Sequence, residues 1–168
     1  MLVVSVLLST VLVDSSSEPN ATADPPLVSA IIDNDFRAVA EMVKAGVDPN
    51  ARGRSLTALF ATQEHIADST MRHGTLQKLL VAGALPDLET KDGSTPLMLA
   101  AFRGDMESVA ILLEFGANPL LRNSKGHHAV SAAEEGGHVE VQHMLRDWVG
   151  ESGVRWASLN EETLKVEL

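Results

Sequence analysis

The chain of 168 residues contains no cysteine, and only 4% of its residues are aromatic. The absence of cysteine excludes disulfide bonds, thiolate nucleophiles and zinc or iron–sulfur sites built on thiolates. Because the hydrophobic share is nevertheless 45%, the core has to consist mainly of small aliphatic side chains packed at close range. A chain of this length and hydrophobic content can form one domain with its own core.

Basic residues are also scarce. Thirteen lysines and arginines stand against 23 acidic residues, so the net charge is −10. Proteins that bind nucleic acid neutralise its phosphates with basic groups, and anionic membranes attract the same groups. The composition therefore argues against nucleic acid and against anionic membrane surfaces as partners.

The first thirteen residues, Met1 to Val13, form an apolar run that ends at Asp14. Such a run is too short to span a bilayer, but it suits a signal peptide, and Ala21-Thr22-Ala23 matches the small-residue pattern before a cleavage site. No lysine or arginine precedes the run, so a disordered N-terminal tail over residues 1–23 is the alternative. A signal peptide would make the mature protein secreted or periplasmic, and without one a cytoplasmic location is expected.

Glycines recur at a regular spacing farther along the chain. Gly83 and Gly116 are 33 residues apart, whereas Gly46 lies 37 residues before Gly83. A period of this length is typical of repeat proteins, in which each unit packs on its neighbours. The longer first interval predicts an insertion near Glu64–Thr70, which either adds a contact beside the binding surface or lengthens a helix.

The segment from Asp92 to Pro119, DGSTPLMLAAFRGDMESVAILLEFGANP, is the clearest unit. Thr95 suits the cap of a short inner helix that begins at Pro96, where the missing N–H has no helical partner to lose. After a glycine turn, apolar residues recur at i, i+3 and i+4 over residues 106–114, which predicts an outer helix that Gly116 can end. Because neither helix is long enough to be stable alone, each unit has to bury its apolar faces against its neighbours.

This segment resembles the ankyrin repeat, whose pattern is Thr-Pro-Leu-His-x-Ala with a period of about 33 residues; Met98 replaces the family's histidine. The resemblance implies an all-α repeat solenoid of helix-turn-helix units joined by hairpin loops. The predicted domain covers residues 24–150, with units at residues 26–50, 51–87, 88–120 and 121–150. Residues 151–168 are predicted to form a C-terminal capping helix, with Trp156 packing against the last unit, or a tail.

No cluster of residues has the spacing that a reaction or a bound metal requires. His138 and His143 are five residues apart, whereas side chains on one helix face are three or four apart. The tripeptide Arg103-Gly104-Asp105 spells the integrin-binding motif, but its glycine and aspartate are already needed by the turn. The sequence has no phosphate-binding glycine loop, nucleophile elbow or zinc-protease motif. It therefore predicts no catalytic residue, no cofactor and no metal site.

The resemblance implies that hairpin tips and inner helices line a concave face that holds a protein partner. Phe102 occupies a position that is normally turned outward, and aromatic residues often anchor interfaces, although a single exposed apolar residue is also common on monomers. The residues predicted for this face are Arg52, Arg54, Lys91, Asp92, Ser94, Phe102, Arg103, Ser124, Lys125, His127 and Glu135. The basic members of this set, together with Arg122, predict a mildly basic edge at the hairpin tips, in contrast to the acidic C-terminal region.

The leading functional hypothesis is a noncatalytic module, monomeric by itself, that binds one partner protein on the concave face. The alternative is an exported structural or protective factor that stabilises an enzyme or an envelope assembly, and it rests on the apolar N-terminal run. Neither hypothesis involves nucleic acid, and no stable membrane association is expected once a signal peptide is removed. The sequence does not name the partner.

Overall fold

The computed structural model describes residues 24–52 and 56–152, and within these residues the protein contains eight α-helices and no β-strand. The helices are α1 (Pro26–Ile32), α2 (Phe36–Lys44), α3 (Ala58–His65), α4 (Ser69–Val81), α5 (Pro96–Phe102), α6 (Met106–Glu114), α7 (Ala129–Glu135) and α8 (Val139–Ser152). Each odd-numbered helix packs against the helix that follows it, which gives four successive helix-turn-helix units. The predicted all-α repeat solenoid is confirmed.

The helices form two layers. In the inner layer α1 packs on α3, α3 on α5, and α5 on α7, whereas in the outer layer α2 packs on α4 and α4 on α6. Aliphatic side chains fill the interior, and Leu97 of α5 and Leu112 of α6 are both 0% exposed. Because each short helix is covered by its own partner and by the neighbouring units, most of its stability depends on the stack.

Polar side chains directly before the helices fix where the helices begin. Thr57 and Thr95 each accept a hydrogen bond from the backbone N–H three residues farther on, and Asp105 does the same before α6. His128 takes this role before α7, where its Nδ1 accepts the N–H of Ser131 at 3.1 Å. The cap predicted at Thr95 is confirmed, while the histidine cap falls outside the residue types that sequence rules favour at this position.

The residues inserted near Glu64–Thr70 lengthen both helices of the second unit. Helix α3 has 8 residues, one more than α5, and α4 has 13 residues, four more than α6. The added turn of α4 carries Arg72, which is 8% exposed, to the third unit, where its Nε lies 2.7 Å from Oδ2 of Asp105. The Nε2 atom of His73 lies 2.9 Å from Oδ1 of the same carboxylate. The longer helix therefore links the second unit to the third through a charged, largely buried contact.

Side chains in the loops also connect successive units. The Nδ2 group of Asn50 donates to the carbonyl oxygen of Gly83 at 3.0 Å, and the carboxylate of Asp87 accepts the N–H of Asn118 at 2.9 Å. Burial raises the pKa of Asp87, although the hydrogen bond from Asn118 partly offsets this effect. The residue 33 positions after Asp87 is Leu120, which is 61% exposed and has no polar group. This row of loop hydrogen bonds therefore joins the first three units.

The third and fourth units lie in close contact at Gly136. This residue ends α7 with a φ of −75°, which any residue can adopt, but a Cβ atom there would lie 2.1 Å from the carbonyl oxygen of Phe102 and 2.8 Å from Cδ2 of His138. We expect Gly136→Ala to force the two units apart and to lower the free energy of unfolding by about 1–3 kcal/mol, as overpacking does elsewhere. Urea unfolding measures this loss.

Gly74→Ala is the matched control, because Gly74 lies within α4 and a Cβ there would meet no atom within 4 Å. Alanine is preferred over glycine in a helix by up to about 1 kcal/mol, so this variant should be as stable as the wild type or more stable. Equal stabilities for the wild type and Gly136→Ala would mean that the units are not in tight contact at this point.

Candidate protein-binding site

A pocket opens on the inner-layer side of the stack, between the hairpin tips and the inner helices of the third and fourth units. It has a volume of about 170 Å³. Its apolar lining comes from three successive inner helices: Phe60 on α3, Met98, Leu99 and Phe102 on α5, and Ala132 on α7. Phe102 is 45% exposed, so its ring remains accessible at this apolar surface.

Six of the eleven residues predicted for the concave face line this pocket. They are Asp92, Ser94, Phe102, Lys125, His127 and Glu135. Among the other five, Lys91, Arg103 and Ser124 are neighbours of lining residues along the chain, Arg52 lies on the hairpin of the second unit, and Arg54 lies outside the described residues. The structure thus gathers residues from two units, up to 43 positions apart in the chain, around one apolar floor.

Asp92 shapes the hairpin of the third unit from within. Its carboxylate accepts the hydroxyl of Thr90 at one oxygen and the hydroxyl of Ser94 at the other, at 2.7 Å. These two hydrogen bonds, led by the one from Thr90, lower the pKa of Asp92, so the side chain is ionised at neutral pH. Its role is therefore first to hold the loop whose tip forms one wall of the pocket.

Asn123 holds the hairpin of the fourth unit in a similar way and was not predicted from the sequence. Its Oδ1 atom accepts the backbone N–H groups of Lys125 and His127, each at 3.0 Å. The backbone N–H of Ser124 donates to the carbonyl oxygen of Asp92 at 2.9 Å, so the two hairpins are joined directly. The signal in the sequence was the Asn-Ser-Lys-Gly segment at residues 123–126, since asparagine commonly caps its own turn.

Arg103 and Arg52 form hydrogen bonds with backbone carbonyl groups instead of acidic side chains. The Nη1 atom of Arg103 donates to the carbonyl oxygens of Gln63 at 2.5 Å and Glu64 at 3.2 Å, in the last turn of α3. Arg52 Nη1 donates to the carbonyl oxygen of Glu89 at 3.2 Å. A cation at a helix C-terminus is favourable because carbonyl groups there lack partners. Both arginines therefore connect one unit to the next through hydrogen bonds.

Ser94, His127 and Asp92 are the residue types of a serine-protease triad, and all three line the pocket. Their hydrogen bonds do not match that arrangement, in which histidine contacts both the serine and the carboxylate. Here the Ser94 hydroxyl donates to Asp92, while Nδ1 of His127 lies 3.4 Å from Oε2 of Glu135. These contacts hold the hairpin side chains in place, and they do not place a histidine where it could activate the Ser94 hydroxyl.

Two other histidines, His128 and His138, and the integrin-type tripeptide are engaged in contacts within the fold. His128 caps α7, and the ring of His138 packs over Gly104, where it would obstruct any added Cβ. The carboxylate of Asp105, the last residue of the tripeptide, is 9% exposed and is already bound by Arg72. Within the described part of the chain, no three histidine or acidic side chains are grouped closely enough to hold a metal ion.

In residues 24–52 and 56–152, no helix has the length and apolarity that would let it cross a membrane.

Comparison with known proteins identifies the class. A family model described as "Ankyrin repeats (3 copies)" matches residues 64–152, which is more than half of the chain. The chain belongs to the ankyrin-repeat family. The matched span begins near the end of α3, so the first unit and most of α3 extend the array beyond it.

Three curated relatives share part of their length with this chain. The chain is 30% identical to the mitochondrial disaggregase of Bos taurus, over 83% of this chain and 25% of that protein. It is 35% identical to the nuclear factor NF-kappa-B p105 subunit of Mus musculus, over 62% and 11%, and 30% identical to ankyrin repeat domain-containing protein 46 of Rattus norvegicus, over 64% and 57%. The chain therefore spans from about a tenth to somewhat more than half of these curated relatives.

The family assignment sets the broad function. Ankyrin repeats are in general noncatalytic modules for protein–protein interaction, and the three-copy model covers the third and fourth units, which supply most of the residues that line the pocket. The recognition of this family from the sequence is confirmed.

Proposed function

We propose that this protein, a monomer by itself, binds one partner protein on its concave face, with the pocket between the third and fourth units as the centre of contact. The observation that carries the proposal is the accessible ring of Phe102, which is 45% exposed and borders an apolar floor. Aromatic residues that become fully buried on association contribute most of the binding energy in many interfaces. An exposed aromatic ring beside a concave apolar surface fits that role.

The rigidity of the surroundings supports the same proposal. The backbone of Phe102 lies against Gly136 of the next unit, and Arg103, the residue after it, binds the last turn of α3. The two hairpin tips are joined through Ser124 and Asp92. A surface that is already ordered loses less conformational entropy when a partner binds.

The alternative of an exported structural or protective factor depends on residues 1–23, which lie outside the described residues. It stays a prediction, and so does the signal peptide on which it rests. The predicted capping helix or tail over residues 151–168 falls outside the described residues from position 153 onward.

Phe102→Ala is expected to remove most of the partner binding while leaving the fold intact. Replacing an interface anchor by alanine commonly costs about 2 kcal/mol or more, which weakens binding roughly thirtyfold. Affinity capture from the native extract, followed by quantitative mass spectrometry and titration of each captured protein, measures the effect. Circular dichroism and urea unfolding confirm that the variant folds like the wild type.

Phe115→Ala is the matched control, because Phe115 is also a phenylalanine, is 40% exposed and lies at the end of the outer helix α6. It should leave partner binding unchanged. The proposal fails if both variants weaken binding of the same partner equally, or if Phe102→Ala has no effect on any partner captured by the wild type.

A further inference from the structure

A second pocket, which we call the end pocket, lies at the fourth unit, the last one in the described part of the chain. It has a volume of about 470 Å³. Leu120 of the preceding loop, Val130 and Glu134 of α7, and Arg146 and Gly150 of α8 contribute to its lining. It shares no lining residue with the pocket beside Phe102.

Comparison with the preceding unit shows which face of the array carries the end pocket. The residues 33 positions before Val130, Glu134 and Arg146 are all buried, namely Leu97, Ala101 and Leu113. In that unit the following one provides cover, since α7 packs on α5. In the fourth unit Glu134 and Arg146 are exposed and Val130 is half-buried. The end pocket therefore lies on the face against which a further unit would pack.

The two charged residues on this face limit what can cover it. Glu134 and Arg146 have opposite charges, and in the described part of the chain neither takes part in an ion pair. A broad apolar surface, such as a further ankyrin unit or a second copy of this chain, would bury both, and burying unpaired charges is costly. A narrow segment can instead cover Val130 and leave both charged groups in water.

The chain supplies a narrow segment at this point. Helix α8 has 14 residues, whereas α6 has 9, so α8 runs through the position at which the third unit turns towards its next hairpin. Residues 153–168 follow the described part of the chain, and they are about half as many as one unit requires. They are too few for another unit, but they include the large apolar side chains of Trp156, Leu159 and Leu164.

Trp156 is close enough along the chain to reach the end pocket. It is six residues after Gly150, which lines the pocket, and six extended residues span at most roughly 20 Å. A short tether of this kind gives an effective concentration of about a millimolar, so a free partner of equal affinity competes poorly.

The size and polarity of the end pocket suit an indole ring. Its volume of about 470 Å³ is roughly three times that of an engineered cavity that holds benzene, which leaves room for the ring and one aliphatic side chain. A buried tryptophan also needs an acceptor for its N–H, and Glu134 offers a carboxylate among the lining residues.

We propose that the C-terminal segment, residues 153–168, folds back over the end pocket and closes the array, with the indole ring of Trp156 packed against Val130. The segment takes the place that a further unit would occupy. This inference does not depend on partner binding at Phe102, because the two pockets have no lining residue in common.

A single introduced thiol tests the proposal, because the chain has no cysteine of its own. Val130→Cys places the thiol in the end pocket of the full chain, where we expect it to react slowly with an aromatic disulfide reagent. Adding Trp156→Ala should raise the rate by about tenfold or more, since the reagent enters only when the segment leaves. Trp156→Phe, which keeps an aromatic ring, should retain most of the protection.

The same substitution at two other valines provides the controls. Val81 of α4 is 76% exposed, so Val81→Cys should react rapidly whether or not Trp156 is present. Val28 of α1 is 1% exposed, so Val28→Cys should stay protected in both backgrounds if the array as a whole remains closed.

Three results would overturn the proposal. The first is a thiol at position 130 that reacts as fast as Val81→Cys while Trp156 is present. The second is a rate at position 130 that Trp156→Ala leaves unchanged, or raises only together with the rate of Val28→Cys. The third is protection that is lost on dilution, which would assign the end pocket to a second copy of the chain.

Discussion

Replacing Asp105 with alanine is expected to lower the free energy of unfolding by about 3–5 kcal/mol, the range for removing one partner of a buried ion pair. The Asp105 side chain is 9% exposed and lies 2.7 Å from Nε of Arg72 and 2.9 Å from Nε2 of His73. It also accepts the backbone N–H and the hydroxyl of Ser108, so it caps α6. Without it, the Arg72 charge stays in a largely buried position with only the carbonyl groups of α3's following loop to bind.

Urea unfolding of Asp105→Ala measures the loss, and Asp35→Ala provides the matched control. Asp35 occupies the same place in the first unit and caps α2 by accepting the N–H of Ala38 at 3.0 Å, but no basic side chain in the described part of the chain pairs with it. Loss of such a cap alone costs about 1 kcal/mol. Similar losses in the two variants would mean that the contact with Arg72 and His73 adds no stability to the array.

The pH dependence of the free energy of unfolding is a second test of the role of the Asp105 carboxylate. Burial alone would raise the pKa of Asp105, but hydrogen bonds from Ser108, His73 and Arg72 outweigh it and hold the pKa below the ordinary value of 3.8. A carboxyl group whose pKa is lower in the folded state than in the unfolded state stabilises the folded protein at pH values above the unfolded-state pKa. This stabilisation is lost as the pH falls through the folded-state pKa. The stability gap between the wild type and Asp105→Ala should therefore narrow below pH 3.8. Protonation of Asp87 affects the stability of both proteins equally, so its effect cancels in this difference.

Leu112→Ala is expected to cost about 2–5 kcal/mol, the range measured for truncating buried leucines. Leu112 is 0% exposed and lies on α6, which packs against α5 of its own unit and against α4 of the preceding one. A cavity at this point removes contacts that two units share, so it should also weaken their coupling. Urea unfolding gives the total loss, and hydrogen exchange of the amides in α4 and α6 shows whether both units open more readily.

Leu120→Ala is the control for this substitution, because the same side chain is removed where it is 61% exposed. Substitutions at exposed positions without special contacts usually change stability by less than about 0.5 kcal/mol. A loss below about 1 kcal/mol for Leu112→Ala would contradict the assignment of this face of α6 to the core.

The sequence by itself determined the class of fold, because the features that define one unit act over a few residues. Thr95 caps the helix that begins at Pro96, and Gly116, two residues after the end of α6, adopts a φ of 87°. Capping and left-handed turns are local interactions, so residue type and spacing are enough to predict them. The 33-residue period then specifies that such units are stacked, since short helices are unstable alone.

The tertiary structure alone decided which side chains from different units meet. Arg72 reaches Asp105 only because the inserted residues add a turn to α4, and no local pattern gives the length of that helix. Phe60 of the second unit joins Phe102 of the third in one pocket, although Phe60 had not been predicted for this face. The sequence predicts contacts within a unit because a helix fixes their geometry, whereas contacts between units depend on helix lengths and on the distance between stacked helices.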